Sequence, residues 1–200
     1  MHQIVNPSIL YFGTPVVLIS TLNPDGTTNL APMSSAWWLN DSCMLGMSRR
    51  SQTVQNILRE GRCVLNLPSA DLVDAVDRLA LTTGREDVPE DKAQMGYVYE
   101  PQKFGVAGLS AAPGESGWPD RVAECPVQMH AVLEDSRDVS GPTLAALEVR
   151  IVQTWMDDAI LNPERRHHVD PGRWRPLIMS FTEFYGLGAQ LRPSRLAAVF

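Results

Sequence analysis

Cysteine is scarce in this chain, positive charge is in deficit, and no long apolar run occurs. Each shortage removes a class of function. The three cysteines among 200 residues, Cys43, Cys63 and Cys125, make an odd count with no Cys-x-x-Cys pair. All sit in apolar or strand-like surroundings, which reads as reduced core thiols rather than a disulfide framework or a zinc site. Lys and Arg together number 17 against 23 Asp and Glu, a formal net charge of -6. That balance supplies no field for nucleic acid and argues against broad contact with an anionic membrane. No stretch approaches the roughly twenty apolar residues of a spanning helix. The opening MHQIVNPSIL has neither the basic segment nor the apolar run of a secretory signal, so the cytoplasm is the expected location. Walker and Rossmann phosphate loops, nucleophile-elbow spacing, internal repeats and low-complexity tracts are all missing.

What remains is an ordinary globular composition, 44% hydrophobic and 20% charged, and a length that suits one domain spanning 1–200. Residues 15–22, PVVLISTL, read as a buried strand. Asn23-Pro24-Asp25-Gly26 has the chemistry of a turn, and residues 27–39 return as a hairpin arm broken at Pro32. A proline within a strand donates nothing to the ladder, so this arm is expected to bulge or to lie at an edge. A short strand at 44–48 leads to a helix at 53–60, capped by Ser51 or Thr53 and stopped by Gly61. Residues 63–67 read as a strand and 70–80 as a helix. Strands resume at 122–133, 144–155 and 177–184. Between them, residues 82–120 show little periodicity and read as an irregular excursion, either a lid or a partner contact. Strands dominate and nothing alternates as βαβ, so the expected fold is mainly β with added helices, a Greek-key barrel with its core in 15–80 and 121–196.

Two neighbouring stretches carry the chemistry. TTNLAPMSSAWW places Asn29, Ser34 and Ser35 beside the bend at Pro32, where interrupted pairing frees backbone groups for a ligand. SRRSQT places Ser48, Arg49, Arg50, Ser51 and Thr53 where a strand gives way to a helix. A phosphate monoester is satisfied by helix N-terminal N–H groups, hydroxyls and an Arg fork together. By itself SRRSQT is better explained by a solvated Arg pair and an N-cap. The hydroxyl cluster one hairpin away tips the reading toward a ledge for a flat ring beside a phosphate socket.

PVVLISTLNPDGTTNLAPMSSAWW, SRRSQTVQNILREGRCVLNLPS, RVAECPVQMHAVLED and RWRPLIMSFTEFYGLGAQL resemble the flavin reductase-like family of FMN-binding split barrels. The resemblance implies a six-stranded antiparallel Greek-key barrel, a homodimer, and FMN in a groove near the subunit interface. It implies that residues 29–36, among them Asn29, Ala31, Pro32, Ser34, Ser35 and Ala36, border the isoalloxazine. Ser48, Arg49, Arg50, Ser51 and Thr53 would hold the phosphate, and Asn56 would brace that loop. Where members of the family often carry Lys-Asp-Thr, this chain has Ser51-Gln52-Thr53, which leaves more of the countercharge to the two arginines. A Gly-Asp-His group found in some short flavin reductases is replaced by Ser140-Gly141-Pro142-Thr143, so its nicotinamide role does not transfer.

The expected activity is hydride transfer from NADH or NADPH to FMN, with reduced flavin either leaving for a partner monooxygenase or passing electrons onward, and no protein acid or base at the reacting atoms. A non-catalytic FMN-binding electron carrier and a flavoenzyme acting on a small metabolite are the alternatives. Elsewhere, His167 and His168 read as part of a solvated loop, or as a clamp for a nicotinamide donor. His130 reads as a hydrogen-bonded structural residue. Glu124 is either an edge residue or a partner for loop backbone. Trp37 and Trp38, facing opposite ways on a strand, place one ring in the core and leave the other for flavin or a dimer seam.

Overall fold

The computed structural model describes residues 1–198. β1 (Phe12–Pro15) runs almost directly into β2 (Val17–Leu22). The turn at Asn23 closes as its chemistry requires: Gly26 takes φ +82°, and Asp25 accepts from the Thr27 N–H at 3.0 Å. β3 (Thr28–Met33) returns along β2, and after Ser34 and Ser35 the chain forms β4 (Ala36–Leu39) and β5 (Ser42–Ser48). α1 (Gln52–Glu60) begins at the N-cap Ser51, which accepts from the Val54 N–H, and ends at left-handed Gly61. β6 (Arg62–Leu67) and the short α2 (Val73–Asp77) follow. The excursion contributes β7 (Thr82–Thr83), α3 (Glu90–Gln94), β8 (Val98–Tyr99), α4 (Lys103–Ala107) and β9 (Ala111–Ala112). β10 (Arg121–Val122), the long hairpin β11 (Val127–Asp138) and β12 (Leu144–Met156), then β13 (Ile178–Ser180) and β14 (Glu183–Tyr185) complete the chain.

Seven strands form one antiparallel sheet in the order β3-β2-β6-β11-β12-β5-β4. The two edge strands, β3 and β4, are consecutive in sequence. A flat sheet of this width would separate them by roughly 29 Å at about 4.8 Å per strand. The step from Met33 to Ala36 spans at most about 11 Å of extended chain. The sheet therefore has to curl until its edges nearly meet, which makes it a split barrel. The six strands implied by the resemblance become seven because the chain leaves one edge at Met33 and re-enters the other at Ala36. Pro32 sits in the edge strand β3, opposite Leu18, where a missing donor interrupts no second ladder.

Apolar side chains fill the barrel from β2, β5, β6, β11 and β12, with Ile19, Leu45, Leu65, Leu147 and Val149 fully buried. Val54 and Ile57 of α1 close one side of it. A second cluster lies outside the barrel wall, where Leu18, Leu30, Val76, Leu79, Ala107, Leu109, Val122 and Leu177 meet. β2 is thus covered on both faces, which is why PVVLISTL is apolar without alternation.

Besides the arm expected over 27–39, which β3 and β4 divide between the two sheet edges, four expected elements differ from those observed. The strand expected over 177–184 is a tight hairpin of β13 and β14 that turns at Phe181, with φ +55°. The helix expected over 70–80 is a 3-10 turn at Ala70–Leu72 followed by α2, and Leu79 reaches the core from beyond its end. The strand expected from 122 to 133 is split, because the Gln128 amide donates to the Val122 and Cys125 carbonyls at 2.9 and 3.0 Å and holds a turn there. The span 82–120 is a packed layer of two- to five-residue elements anchored by Ala107 and Leu109.

Candidate functional site

The excursion folds against the junction of β3, β5 and α1 and encloses a cavity of about 170 Å³. Asn29, Ala31, Pro32 and Met33 of β3 form one wall, with Met47 and Ser48 of β5 beside them. Ser51, Gln52 and Thr53 present the start of α1. Thr82, Thr83 and Gly84, with Lys92, Tyr97 and Lys103, complete the lining. An apolar cleft of about 240 Å³ shares Pro32, Met33 and Ala80 with this cavity and continues along Tyr11, Ser34, Met179 and Phe184. The pair makes one elongated recess, polar and cationic at one end, apolar at the other.

Hydrogen-bond accounting marks the polar end as incomplete. The buried Asn29 amide donates to Thr21 Oγ1 at 3.3 Å and Thr53 Oγ1 at 3.2 Å, while its Oδ1 is buried with no partner. A buried acceptor left unpaired costs about 1–3 kcal/mol, and a ligand hydroxyl would supply the missing donor. Lys103 is 3% exposed and makes no ion pair or hydrogen bond among the described residues. Burial, reinforced by the nearby Lys92 charge and opposed by Glu100, pushes its ammonium down to about 8. Burial also lowers Lys92, with Arg50 and Arg85 adding repulsion and Asp91 opposing them. Its ammonium sits 5.0 Å from the Tyr97 ring centroid. Mutually repelling cations around the first turn of a helix form a site that an anion stabilises.

Of the residues singled out from sequence, Asn29, Ala31, Pro32, Ser48, Ser51 and Thr53 line this cavity together. Ser34 lines the apolar cleft. Ser35 bonds the Tyr11 hydroxyl at 2.7 Å, and Ala36 turns its side chain into the barrel core. Asn56 is a brace: it donates to Thr21 Oγ1 and Asn23 Oδ1 at 3.0 and 2.9 Å and accepts from Gln52 Nε2 at 2.8 Å. Arg49 and Arg50 are not in the cavity wall. Arg49 pairs with Asp138 at 2.5 Å, and Arg50 pairs with Asp91 on α3. Arg50 also accepts, through its carbonyl, from Arg85 Nη1 at 3.2 Å, so it ties α3 to the start of α1. The cations that do line the cavity are Lys92 and Lys103, which sequence reasoning passed over. One signal was available, since these are the only two lysines in the chain and both fall in the excursion.

The remaining candidates lie elsewhere. Glu124 accepts from the Ser110 N–H at 2.9 and 3.1 Å, fastening the excursion to β10. Trp38 packs on the barrel core and Trp37 is 57% exposed. His167 and His168 lie in an exposed loop, with His167 at φ +63°. No three His, Cys, Asp or Glu side chains among the described residues are grouped to hold a metal, and no helix there is long and apolar enough to cross a membrane. His130 is buried by rings rather than by the hydrogen bond expected of it: it stacks on Trp118 at 4.0 Å, meets Trp155 edge-on at 4.4 Å, and leaves Nε2 unpartnered. Burial and then Arg121 push its imidazolium down to about 4. The native state therefore holds His130 neutral while the unfolded chain takes up a proton below about 6.5. Its stabilising contribution is complete above that pH and is lost as pH falls toward 4. His130→Phe should flatten the decline of Tm between pH 6.5 and 4, a difference on the order of 1–3 kcal/mol. An unchanged Tm–pH slope in the variant would contradict this.

Residues 9–188 match the family described as "Flavin reductase like domain". The chain is 35% identical over 188 residues to "Uncharacterized protein YdfE" of Bacillus subtilis strain 168, covering 94% of this chain and 90% of that protein. Among solved structures it resembles flavoredoxin of Desulfovibrio vulgaris Miyazaki F, with TM-score 0.80, 20% identity, and coverage of 99% of this chain and 100% of that one. It also resembles nitrilotriacetate monooxygenase component B from Bacillus cereus, with TM-score 0.73, 19% identity, and coverage of 93% and 89%.

Proposed function

We propose, from the premise that this chain belongs to the flavin reductase-like family, that it is an NAD(P)H-dependent FMN reductase of the cytoplasm. The observation that carries this reading is the divided recess, whose cationic end faces a helix N-terminus and whose other end is apolar. FMN has that shape and charge distribution: a dianionic head, a polyol and a flat ring.

The residues present suit the cofactor. Backbone N–H groups at the start of α1, the Ser51 and Thr53 hydroxyls and the Lys92 ammonium surround the place for a phosphate. The unpaired Asn29 Oδ1 would accept a hydrogen bond from a polyol hydroxyl. Pro32, Met33 and Ser34 border the ring, and Met179 and Phe184 exclude water from the apolar end. FMN held there supplies hydride acceptance from a reduced nicotinamide. Backbone N–H groups of the segment around Pro32 would serve as donors where negative charge grows on the ring, and no side-chain acid or base would be required at the reacting atoms.

We place a second copy of the chain against the barrel, because the edge strand β4 exposes Trp37 and Leu39 two positions apart on one face. Reduced flavin is delivered to a partner monooxygenase, a role supported by the likeness to a protein named as a monooxygenase component. Adding NADH or NADPH anaerobically to the FMN-loaded protein should bleach the yellow flavin absorbance with at least one donor. Tight FMN that neither donor bleaches would replace this reading with a non-catalytic electron carrier. The turn at Ser140 and Gly141, which lacks a histidine, is the feature that favours that alternative.

A further inference from the structure

Lys103 differs from every other cation near the recess. Arg49 and Arg50 are neutralised by Asp138 and Asp91, and Lys92 lies over the Tyr97 ring. Lys103 is buried, lines the cavity together with Asn29, Ser51 and Thr53, and has no hydrogen bond or ion pair among the described residues. We propose, building on the FMN reading above, that Lys103 is a proton-linked determinant of which flavin the site retains: it takes up a proton when a phosphate monoester enters and releases it when the ligand leaves.

The charges facing Lys103 define the linkage. Lys92 of α3 repels its ammonium, and Glu100, just before α4, attracts it. Tyr97 shares the cavity. On the far side, Asp25 and Asp120 line an adjoining polar cleft that Lys103 also borders. Both acids are already engaged, Asp25 by Thr27, and Asp120 by Thr28 Oγ1 at 3.2 Å and the Gly114 N–H at 3.2 Å. Among the protein's own groups burial and Lys92 prevail over Glu100, and the ammonium is held at about 8. A phosphate dianion against it reverses that balance and raises the proton affinity again. Riboflavin has the same ring and polyol without the dianion, so it leaves Lys103 as it was. Lysine suits this role and arginine does not, because only the ammonium deprotonates in a protein.

The test is calorimetric titration with FMN and with riboflavin, at pH 7.5 and pH 9, in two phosphate-free buffers of different ionisation enthalpy. The phosphate is fully dianionic at pH 9, so the unaltered protein should take up about one proton per FMN there and none with riboflavin. Its FMN affinity should fall by about tenfold between pH 7.5 and 9, while riboflavin affinity stays level. Lys103→Arg should keep the affinity of pH 7.5 across the range without proton uptake, and Lys103→Gln should bind FMN weakly at both pH values. No proton uptake by the unaltered protein at pH 9, or an uptake that persists in Lys103→Arg, would overturn the proposal while leaving the FMN reading intact. FMN binding no tighter than riboflavin at pH 7.5 would remove the FMN reading and this inference with it.

Discussion

Gly84→Ala is expected to lower FMN affinity at least about tenfold and to cost about 1–3 kcal/mol of stability, a large effect for one methyl group. A Cβ at this position would lie 2.3 Å from Asn29 Oδ1, 3.1 Å from Asn29 Cγ and 3.2 Å from Gln52 Cγ. A Cβ does not approach a non-bonded oxygen so closely, so the Asn29 amide must move. It is not free to do so cheaply, because its Nδ2 holds Thr21 and Thr53 inside the wall of the cavity. Displacing it breaks bonds worth about 0.5–1.5 kcal/mol each and withdraws the one unpaired acceptor at the polar end. Thermal unfolding and a flavin titration read the two consequences separately. An alanine variant with the parent's Tm and FMN affinity would show that Asn29 is no part of the site.

Lys92→Glu should weaken FMN binding by about a hundredfold or more and barely affect riboflavin. Two charges 4 Å apart interact by about 4 kcal/mol at the effective dielectric of a protein surface, and the substitution exchanges an attraction for a repulsion. Solvent at the mouth of the cavity reduces that figure, and a hundredfold loss remains. Stability should change little, since Lys92 has Asp91 beside it but is itself repelled by Arg50 and Arg85. Equal losses for the two flavins would mean that the variant damages the recess as a whole rather than its anion-binding end.

How far the sequence disclosed this arrangement depended on whether the cause was local. The turn at Gly26, the helix stop at Gly61 and the edge position of Pro32 each follow from one residue's backbone preference, and all three are observed. The barrel strands declared themselves by β-branched runs. The excursion did not, because its elements are held by contacts of Ala107 and Leu109 with the outer face of β2 and β3, and nothing periodic encodes that. Arg49 and Arg50 drew attention through the company they keep in SRRSQT, yet their guanidinium groups are engaged by acids 89 and 41 positions away. Lys92 and Lys103 lie in a stretch whose local pattern is that of a solvated loop. The fold brings both to the cavity wall and buries Lys103, and both are tertiary events.

A fluorescence titration of the purified protein with FMN and, in parallel, with riboflavin measures whether a phosphate is held at the lysine-lined end. FMN should bind at least about tenfold more tightly than riboflavin at neutral pH, the worth of a charge-assisted contact. Indistinguishable dissociation constants for the two flavins would contradict the assignment of this cavity.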